Sequence, residues 1–354
     1  MINNIKFLWE KKPTYLIFWV AQGCNFTCDH CFNYLENKKK TPELTLAEIK
    51  EISSHFGHMK YLTLAGGEPM LRKDLADIVK TFYHQNELHI CNVISNGWFQ
   101  DRIYEFCNNV LNECPNLKLS FNISIDGLEE THDHIRQKQG SFKRCVETIE
   151  SLKNLMGQFP GRFEVAANGV YSAENSGTIL DVADFIIDRV KIPYIINLVR
   201  GEDIQNNALK NVDVEHFFEV SQTIYHKNAV FLSKKLKFDD LIFGVKQAVH
   251  KVIYDSVKHD KMTSKCLAGK KGIVLGAGGE VLLCEVLNIK LGNIRDHNFD
   301  IMEVLSNESS QAEIQKIVKN KCHCTWECFQ SMNTVFDPLQ YPKVAFHTLR
   351  GKLS

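Results

Sequence analysis

The chain has 354 residues, which exceeds one ordinary hydrophobic core, so two domains or a barrel with an appendage are expected. Its 42 Lys and Arg residues balance 42 Asp and Glu residues, and no basic block marks a surface for nucleic acid or anionic lipid. The start of the chain lacks an export-signal pattern and no apolar run reaches membrane-spanning length, which predicts a cytoplasmic protein without nucleic-acid or membrane partners. In such a reducing compartment, the 12 cysteines indicate metal or redox chemistry rather than disulfides.

Six short apolar runs alternate with amphipathic segments between Thr14 and about Arg200. In chain order the runs are TYLIFWVA, YLTLA, HICNVIS, LKLSFNISI, FEVAANGVY and IPYIINLV. This alternation predicts repeated β-α units with parallel strands, and hence an α/β fold arranged as a partial (β/α)6 barrel of the TIM type. Thr45 and Glu48 form a capping-box pattern at the start of the first helix.

The remaining chain changes character twice. From residue 202 to residue 265 the pattern is helical and amphipathic, which predicts a helical connector. From Cys266 onward a small cysteine-rich module is expected, with a hairpin around Gly278 and Gly279. The predicted domain boundaries are therefore 1–201, 202–265 and 266–354.

Three cysteines, Cys24, Cys28 and Cys31, follow the first apolar run at C-x3-C-x2-C spacing. Three thiols cannot complete a four-ligand metal site. They can hold a four-iron, four-sulfur (4Fe-4S) cluster by three corners and leave the fourth iron for a non-protein ligand. A reaction needs such an open position and a structural zinc site does not, so the spacing predicts a catalytic iron-sulfur centre.

Polar residues follow the later strands, at the barrel end where parallel β/α barrels bind their ligands. Gly66 and Gly67 after the second run allow close backbone approach to a ligand. Ser124 near the end of the fourth run is followed by Arg136, and arginine is the side chain best shaped to grip a carboxylate at two points. Backbone groups at Gly66 and Gly67 that can pair with an amino group, and an arginine that can grip a carboxylate, lie beside an open iron in this prediction. Together they describe a site for a bound amino acid.

The ordered motifs C-x3-C-x2-C, GGEP, SNG and SIDG, followed by HDHIR and GSF, resemble the radical S-adenosylmethionine (radical SAM) superfamily over roughly Thr14 to Arg200. The resemblance implies a 4Fe-4S cluster on the three cysteines, with the methionine end of S-adenosylmethionine on its fourth iron. The implied contacts to S-adenosylmethionine are Gly66, Gly67, Glu68, Ser95, Asn96, Ser124, Asp126, Arg136 and Leu198. His30 departs from the Tyr or Phe that members often carry before the third cysteine.

Plainer interpretations exist for some of these residues. Arg136 can instead pair with Asp133 on a surface helix. Four other cysteines lie in apolar or helical patterns and are interpreted as core residues, because free cysteine behaves as a small hydrophobe. They are Cys91, Cys107, Cys114 and Cys145.

The cysteines of the C-terminal module begin with the pattern C-x12-G-x4-C, formed by Cys266, Gly279 and Cys284. This pattern resembles the auxiliary-cluster modules called SPASM and twitch domains. The resemblance implies one auxiliary 4Fe-4S cluster, fully ligated by four of the five cysteines of the module. The expected ligands are Cys266, Cys284, Cys328 and one of Cys322 or Cys324. Zinc is the alternative, because four thiolates suit it equally well.

Two further residues are candidates for substrate chemistry. Glu285 directly follows Cys284, and in the related sulfatase-maturating enzymes an acidic residue in that place acts as general base. The alternative role of Glu285 is a brace for the cluster loop. Arg200 ends the sixth strand and is a candidate for binding an anionic substrate group, although Glu202 or Asp203 can also pair with it.

These expectations describe a radical SAM enzyme that reductively cleaves S-adenosylmethionine to a 5′-deoxyadenosyl radical and abstracts a hydrogen atom from substrate carbon. An auxiliary cluster as electron acceptor favours dehydrogenation of a polar small molecule such as a sugar-like alcohol. The alternatives are a maturase that modifies a peptide or protein, and a non-catalytic iron-sulfur or zinc sensor. Only 13 residues precede the first strand, which disfavours an N-terminal peptide-binding domain. An external electron donor such as flavodoxin or ferredoxin is expected.

Overall fold

The structure is a computed structural model that describes residues 10–201, 204–233, 240–262, 264–320, 322, 324 and 326–346. Its centre is one nine-stranded sheet with the strand order β6-β5-β4-β3-β2-β1-β7-β8-β9. The first six strands are parallel to one another, and they correspond to the six apolar runs. They are β1 Tyr15–Ala21, β2 Tyr61–Gly66, β3 Ile90–Ser95, β4 Lys118–Ser124, β5 Phe163–Tyr171 and β6 Tyr194–Leu198.

Helices connect these strands and cover the outer face of the sheet. They are α1 Leu46–His55, α2 Leu75–Asn86, α3 Gln100–Glu113, α4 Glu129–Ile135, α5 Ser141–Gln158 and α6 Ile179–Asp184, which continues as a π-helical turn over Phe185–Val190. The capping box predicted for Thr45 and Glu48 forms at the start of α1. Six of the seven β1 residues are buried, as expected for a parallel strand covered on both faces.

The described strands form an open sheet, with β6 at one edge and β9 at the other, so the predicted partial barrel is confirmed. Two long helices, α7 Val214–Ser233 and α8 Asp240–Lys258, follow β6. They lie in the segment in which the sequence predicts a helical connector.

The C-terminal module extends the barrel sheet instead of folding as a separate layer. Its strand β7, Gly272–Leu275, pairs in parallel with β1 and places Tyr15 opposite Gly272. Strands β8, Glu280–Leu282, and β9, Lys290–Asn293, then add in antiparallel fashion, with the predicted hairpin between β7 and β8. Without β7, the edge of β1 would expose a row of unpaired backbone donors and acceptors. The pairing therefore gives these backbone groups hydrogen-bond partners.

The described part of the module also contains the helices α9 Ile301–Ser306, α10 Glu308–Lys319 and α11 Glu327–Phe336. An ion pair ties the module to the barrel, since Arg295 Nε lies 2.6 Å from Glu48 Oε1 at the start of α1. None of the helices in the described ranges is long and apolar enough to cross a membrane.

Candidate active site

One cavity lies at the carboxyl ends of the barrel strands and encloses about 1160 Å³, including its open mouth. Residues that follow β1, β2, β3, β4 and β6 line it, together with three residues of the C-terminal module. The predicted site residues on its wall are Cys24, Cys28, Cys31, Gly66, Gly67, Glu68, Ser95, Asn96, Ser124, Arg136, Leu198, Arg200, Glu285 and Cys328. The fold thus brings most of the sequence candidates to one place.

The cysteine triad lies in the loop after β1. A turn with a 3.1 Å hydrogen bond from the Cys31 N–H to the Cys28 carbonyl brings two of its members close along the chain. The backbone N–H of Phe26 donates to Cys24 Sγ at 3.4 Å. Burial raises the pKa of Cys28 to about 12, and the nearby Arg136 guanidinium opposes this rise. The buried Cys28 thiolate therefore depends on neighbouring positive charge.

The donor set fits iron-sulfur clusters. The three thiols after β1 are free, and they can hold three corners of a 4Fe-4S cluster. The five free thiols of the C-terminal module are enough to fill all four positions of a second cluster.

Arg136 lies in the cavity wall, and the buried Asp126 holds its guanidinium in place. Its Nε donates to Asp126 Oδ2, and its Nη1 lies 3.8 Å from Cys28 Sγ. Burial acts to raise the pKa of Asp126, but Arg136 and then His30 outweigh it and lower that pKa to about 2. Asp126 is fully buried and acts as the counter-ion of Arg136 in this structure. The alternative partner, Asp133, instead accepts hydrogen bonds from the start of α5.

The GGEP loop is built into the neighbouring chain segments. An added Cβ on Gly67 would lie 1.9 Å from the Gly23 carbonyl oxygen, so this position requires glycine for packing alone. Glu68 is 1% exposed, and both oxygens of its carboxylate accept hydrogen bonds from the protein. The donors are the Met70 N–H at 3.0 Å, the Ser95 hydroxyl at 2.8 Å and the Asn96 N–H at 2.8 Å. Glu68 and Ser95 thus join the ends of β2 and β3.

The ends of β4 and β6 supply the opposite wall. Ser124 and Leu198 are both buried and line the cavity. Arg200 Nη1 donates to Glu327 Oε2 at 3.0 Å, and its guanidinium lies 3.8 Å from the centre of the Trp326 ring. The described partner of Arg200 is therefore Glu327, on the C-terminal module. The other partners considered from the sequence, residues 202 and 203, lie outside the described residues.

Glu285 is a buried carboxylate on the cavity wall. Its Oε1 accepts a 2.6 Å hydrogen bond from Trp19 Nε1, and its Oε2 has no partner among the described residues. Burial raises the pKa of Glu285 to about 7, although the Trp19 hydrogen bond and the charge of Arg200 oppose the rise. Trp19 belongs to β1, so the barrel orients a carboxylate that the C-terminal module provides.

Several residues that contact the candidate site residues have no sequence signal. Trp19 is one of many apolar residues in β1, and Trp326 and Glu327 lie far along the chain from the barrel motifs. Burial raises the pKa of Cys328 to about 12, and Tyr15, at the start of β1, opposes this rise. These contacts link residues more than 100 positions apart, which spacing rules cannot detect.

Known proteins resemble both halves of the chain. The family model of the radical SAM superfamily matches residues 20–162. The AdoMet-dependent heme synthase of Methanosarcina barkeri is 26% identical over 293 residues, which cover 80% of each chain. The sporulation killing factor maturation protein SkfB of Bacillus subtilis is 22% identical over 311 residues, 86% of this chain and 67% of SkfB. The chain spans 48% of the GTP 3′,8-cyclase of Haemophilus ducreyi, at 30% identity over 176 residues and 49% of this chain.

Solved structures show the same fold. SuiB of Streptococcus suis bound to the precursor peptide SuiA gives a TM-score of 0.62 at 15% identity, over 89% of this chain and 69% of SuiB. The enzyme anSMEcpe with bound AdoMet and Cp18Cys peptide gives 0.60 at 16% identity, over 96% and 97% of the two chains. The family match covers residues 20–162, which include the cysteine triad at the barrel mouth, so this part of the chain is a radical SAM domain; members of that superfamily are enzymes that use a 4Fe-4S cluster and S-adenosylmethionine.

Proposed function

We propose that this radical SAM enzyme dehydrogenates an alcohol carbon of a polar small molecule such as a sugar-like alcohol. The observation that carries the proposal is the Glu285 carboxylate on the cavity wall, with one oxygen held by Trp19 and the other without a partner in the described part of the chain. An unpartnered buried acceptor calls for a donor from a ligand. A substrate hydroxyl is such a donor.

Cys24, Cys28 and Cys31 would hold the first 4Fe-4S cluster, and the C-terminal cysteines an auxiliary one. When bound, the two clusters and S-adenosylmethionine supply a radical that abstracts hydrogen from carbon and an acceptor for the electron left behind. The guanidinium of Arg136 would bind the carboxylate of S-adenosylmethionine, because Asp126 fixes it beside Cys28. Ser124 and Leu198 would complete the wall against the nucleoside.

Glu285 would take the hydroxyl proton while the substrate carbon is oxidised. Loss of one hydrogen atom, one proton and one electron converts an alcohol carbon to a carbonyl carbon. The Trp19 hydrogen bond keeps Glu285 Oε1 in place, so the unpartnered oxygen is the proton acceptor. A positioned base of this kind contributes a factor of about 10² to 10⁴ in rate.

Peptide maturation is the second candidate function. SkfB is a maturation protein that aligns with 86% of this chain, and the structures of SuiB and anSMEcpe contain peptides. Glu285 would serve this reaction equally if the alcohol were a serine or threonine side chain. In either reaction, we propose that an external one-electron donor of the flavodoxin or ferredoxin class reduces the enzyme.

The test is carried out on anaerobically reconstituted protein with dithionite and S-adenosylmethionine. Release of 5′-deoxyadenosine is expected, and its absence would favour the non-catalytic sensor. Polyols and serine-containing peptides, each deuterated at the alcohol carbon, then distinguish the two substrates. With a polyol, we expect deuterium in 5′-deoxyadenosine and a product that has lost one deuterium from carbon and one hydrogen from the hydroxyl. If only the peptides give this result, peptide maturation replaces the small-molecule proposal.

A further inference from the structure

The C-terminal module carries five cysteines, one more than a fully ligated 4Fe-4S cluster needs. Their surroundings divide them into a group of four and a single thiol. Two observations support the division: the faces of α11 and the wall of the cavity.

One face of α11 is tied to the segment that contains Cys266. The side chain of Gln330, 3% exposed, donates through Nε2 to Cys324 Sγ at 3.5 Å and to the Cys324 carbonyl at 3.0 Å. Its Oε1 accepts a 2.7 Å hydrogen bond from the Ser264 hydroxyl. Gln330 therefore holds Cys324 and the chain two residues before Cys266 together, on one side of the helix.

Cys328 lies on the other side of this helix. Successive residues of an α-helix are rotated by about 100°, so Cys328 is displaced by about 200° from Gln330. Cys328 lines the barrel cavity, which none of the other four cysteines of the module does.

The surroundings of Cys328 suit a bound small molecule. Trp326 Nε1 is a buried donor and Glu285 Oε2 a buried acceptor, and neither has a hydrogen-bond partner in the described part of the chain. Both residues line the cavity together with Cys328. Buried polar atoms without partners are rare in folded proteins, so this end of the cavity is prepared for a molecule that offers both a donor and an acceptor. An alcohol with a neighbouring oxygen has that chemistry.

We propose that Cys266, Cys284, Cys322 and Cys324 are the ligands of the auxiliary cluster, and that Cys328 is an unligated thiol at the substrate end of the cavity. This assignment rests on the auxiliary cluster of the proposed function and replaces the ligand set expected from the sequence, which includes Cys328. The thiol would contact the substrate beside Glu285 and Trp326.

Metal content of single alanine variants tests the ligand set. Iron and zinc are both counted in reconstituted protein, so that a zinc-filled module is recognised as a failure of the proposed cluster and not of the ligand set. Wild-type protein and Cys328→Ala are each expected to hold about eight irons, whereas Cys322→Ala and Cys324→Ala each fall to about four. Loss of the auxiliary metal in Cys328→Ala, with retention in Cys322→Ala or Cys324→Ala, would overturn the proposal.

Alkylation of wild-type holoprotein tests the free thiol without any substitution, and therefore also if a variant fails to fold. Anaerobic protein with both clusters is incubated for hours with N-ethylmaleimide, because the raised pKa of Cys328 slows labelling, and is then digested for mass spectrometry. The label is expected on Cys328, since the cysteines at 91, 107, 114 and 145 are fully buried. A label on Cys322 or Cys324 with Cys328 protected would refute the assignment.

Discussion

The indole Nε1 of Trp19 donates a 2.6 Å hydrogen bond to Glu285 Oε1 across 266 residues of chain. Trp19 is part of the first barrel strand, and Glu285 belongs to the module that adds strands to the other edge of that strand. A hydrogen bond to a charged group is worth about 1.5–3 kcal/mol, enough to fix the side chain in one orientation. The barrel thereby fixes Glu285 Oε1 and leaves Oε2 as the carboxylate oxygen without a partner among the described residues.

Glu285→Gln is expected to lower formation of oxidised product on the order of 10²-fold or more, because the amide keeps the size of the side chain but cannot accept the proton. Deuterium from labelled substrate should still reach 5′-deoxyadenosine. Glu303→Gln, an exposed position on α9, is the matched control and should leave the product yield unchanged. Normal product from Glu285→Gln would leave this residue a structural brace.

Trp19→Phe removes the hydrogen bond to Glu285 and keeps an aromatic ring in β1. We expect oxidised product to fall by about 10- to 100-fold, the usual effect of losing a group that orients a functional side chain. Iron content should remain that of wild type, because the indole N–H of Trp19 donates to Glu285 and not to a cysteine. Equal product yields from the variant and wild type would show that Glu285 needs no support from β1.

Simultaneous replacement of Cys24, Cys28 and Cys31 by Ala should abolish release of 5′-deoxyadenosine and leave about four irons in the C-terminal module. The two cysteine groups lie in different segments, each with enough thiols for its own cluster. Cys107→Ala, in the core and fully buried, is the control and should keep about eight irons. Continued S-adenosylmethionine cleavage by the triple variant would refute the assignment of the radical cluster.

Arg136→Lys should weaken S-adenosylmethionine binding by about tenfold or more despite the retained charge. An ammonium group cannot pair with Asp126 and at the same time present a planar two-point grip to a carboxylate. Equilibrium dialysis with labelled S-adenosylmethionine measures the change. Arg144→Lys, on the exposed side of α5, serves as control. Similar dissociation constants for all three proteins would remove Arg136 from the cofactor site.

Asp126→Asn should destabilise the protein by about 3–5 kcal/mol at neutral pH, because it leaves the Arg136 charge buried without a counter-ion. The folded-state pKa of Asp126 is lowered to about 2, so its contribution is fully present above the unfolded value near 4 and is lost as the pH falls toward 2. Urea unfolding of metal-free protein at several pH values checks both points. A stability difference between the two proteins that grows below pH 4 would contradict this account.

Local patterns in the sequence determined the barrel and its radical site. Each of the six strands is a buried apolar run, and the motif residues follow those runs directly, so parallel pairing alone brings them to one end of the sheet. The triad of Cys24, Cys28 and Cys31 can be identified without tertiary information, because three cysteines that lie close together along the chain can provide three cluster ligands. Family membership follows from the same ordered motifs.

Tertiary structure alone decided the partners of the charged groups and the position of the module. Arg136 pairs with Asp126 and not with its neighbour Asp133, because the start of α5 already occupies the Asp133 carboxylate. The contact of Trp19 with Glu285 exists only because β7 pairs with β1, and that pairing satisfies a strand edge that no local pattern reveals. Spacing can therefore predict which chemistry a loop carries, but the contacts between distant segments arise from packing and hydrogen bonding in the folded chain.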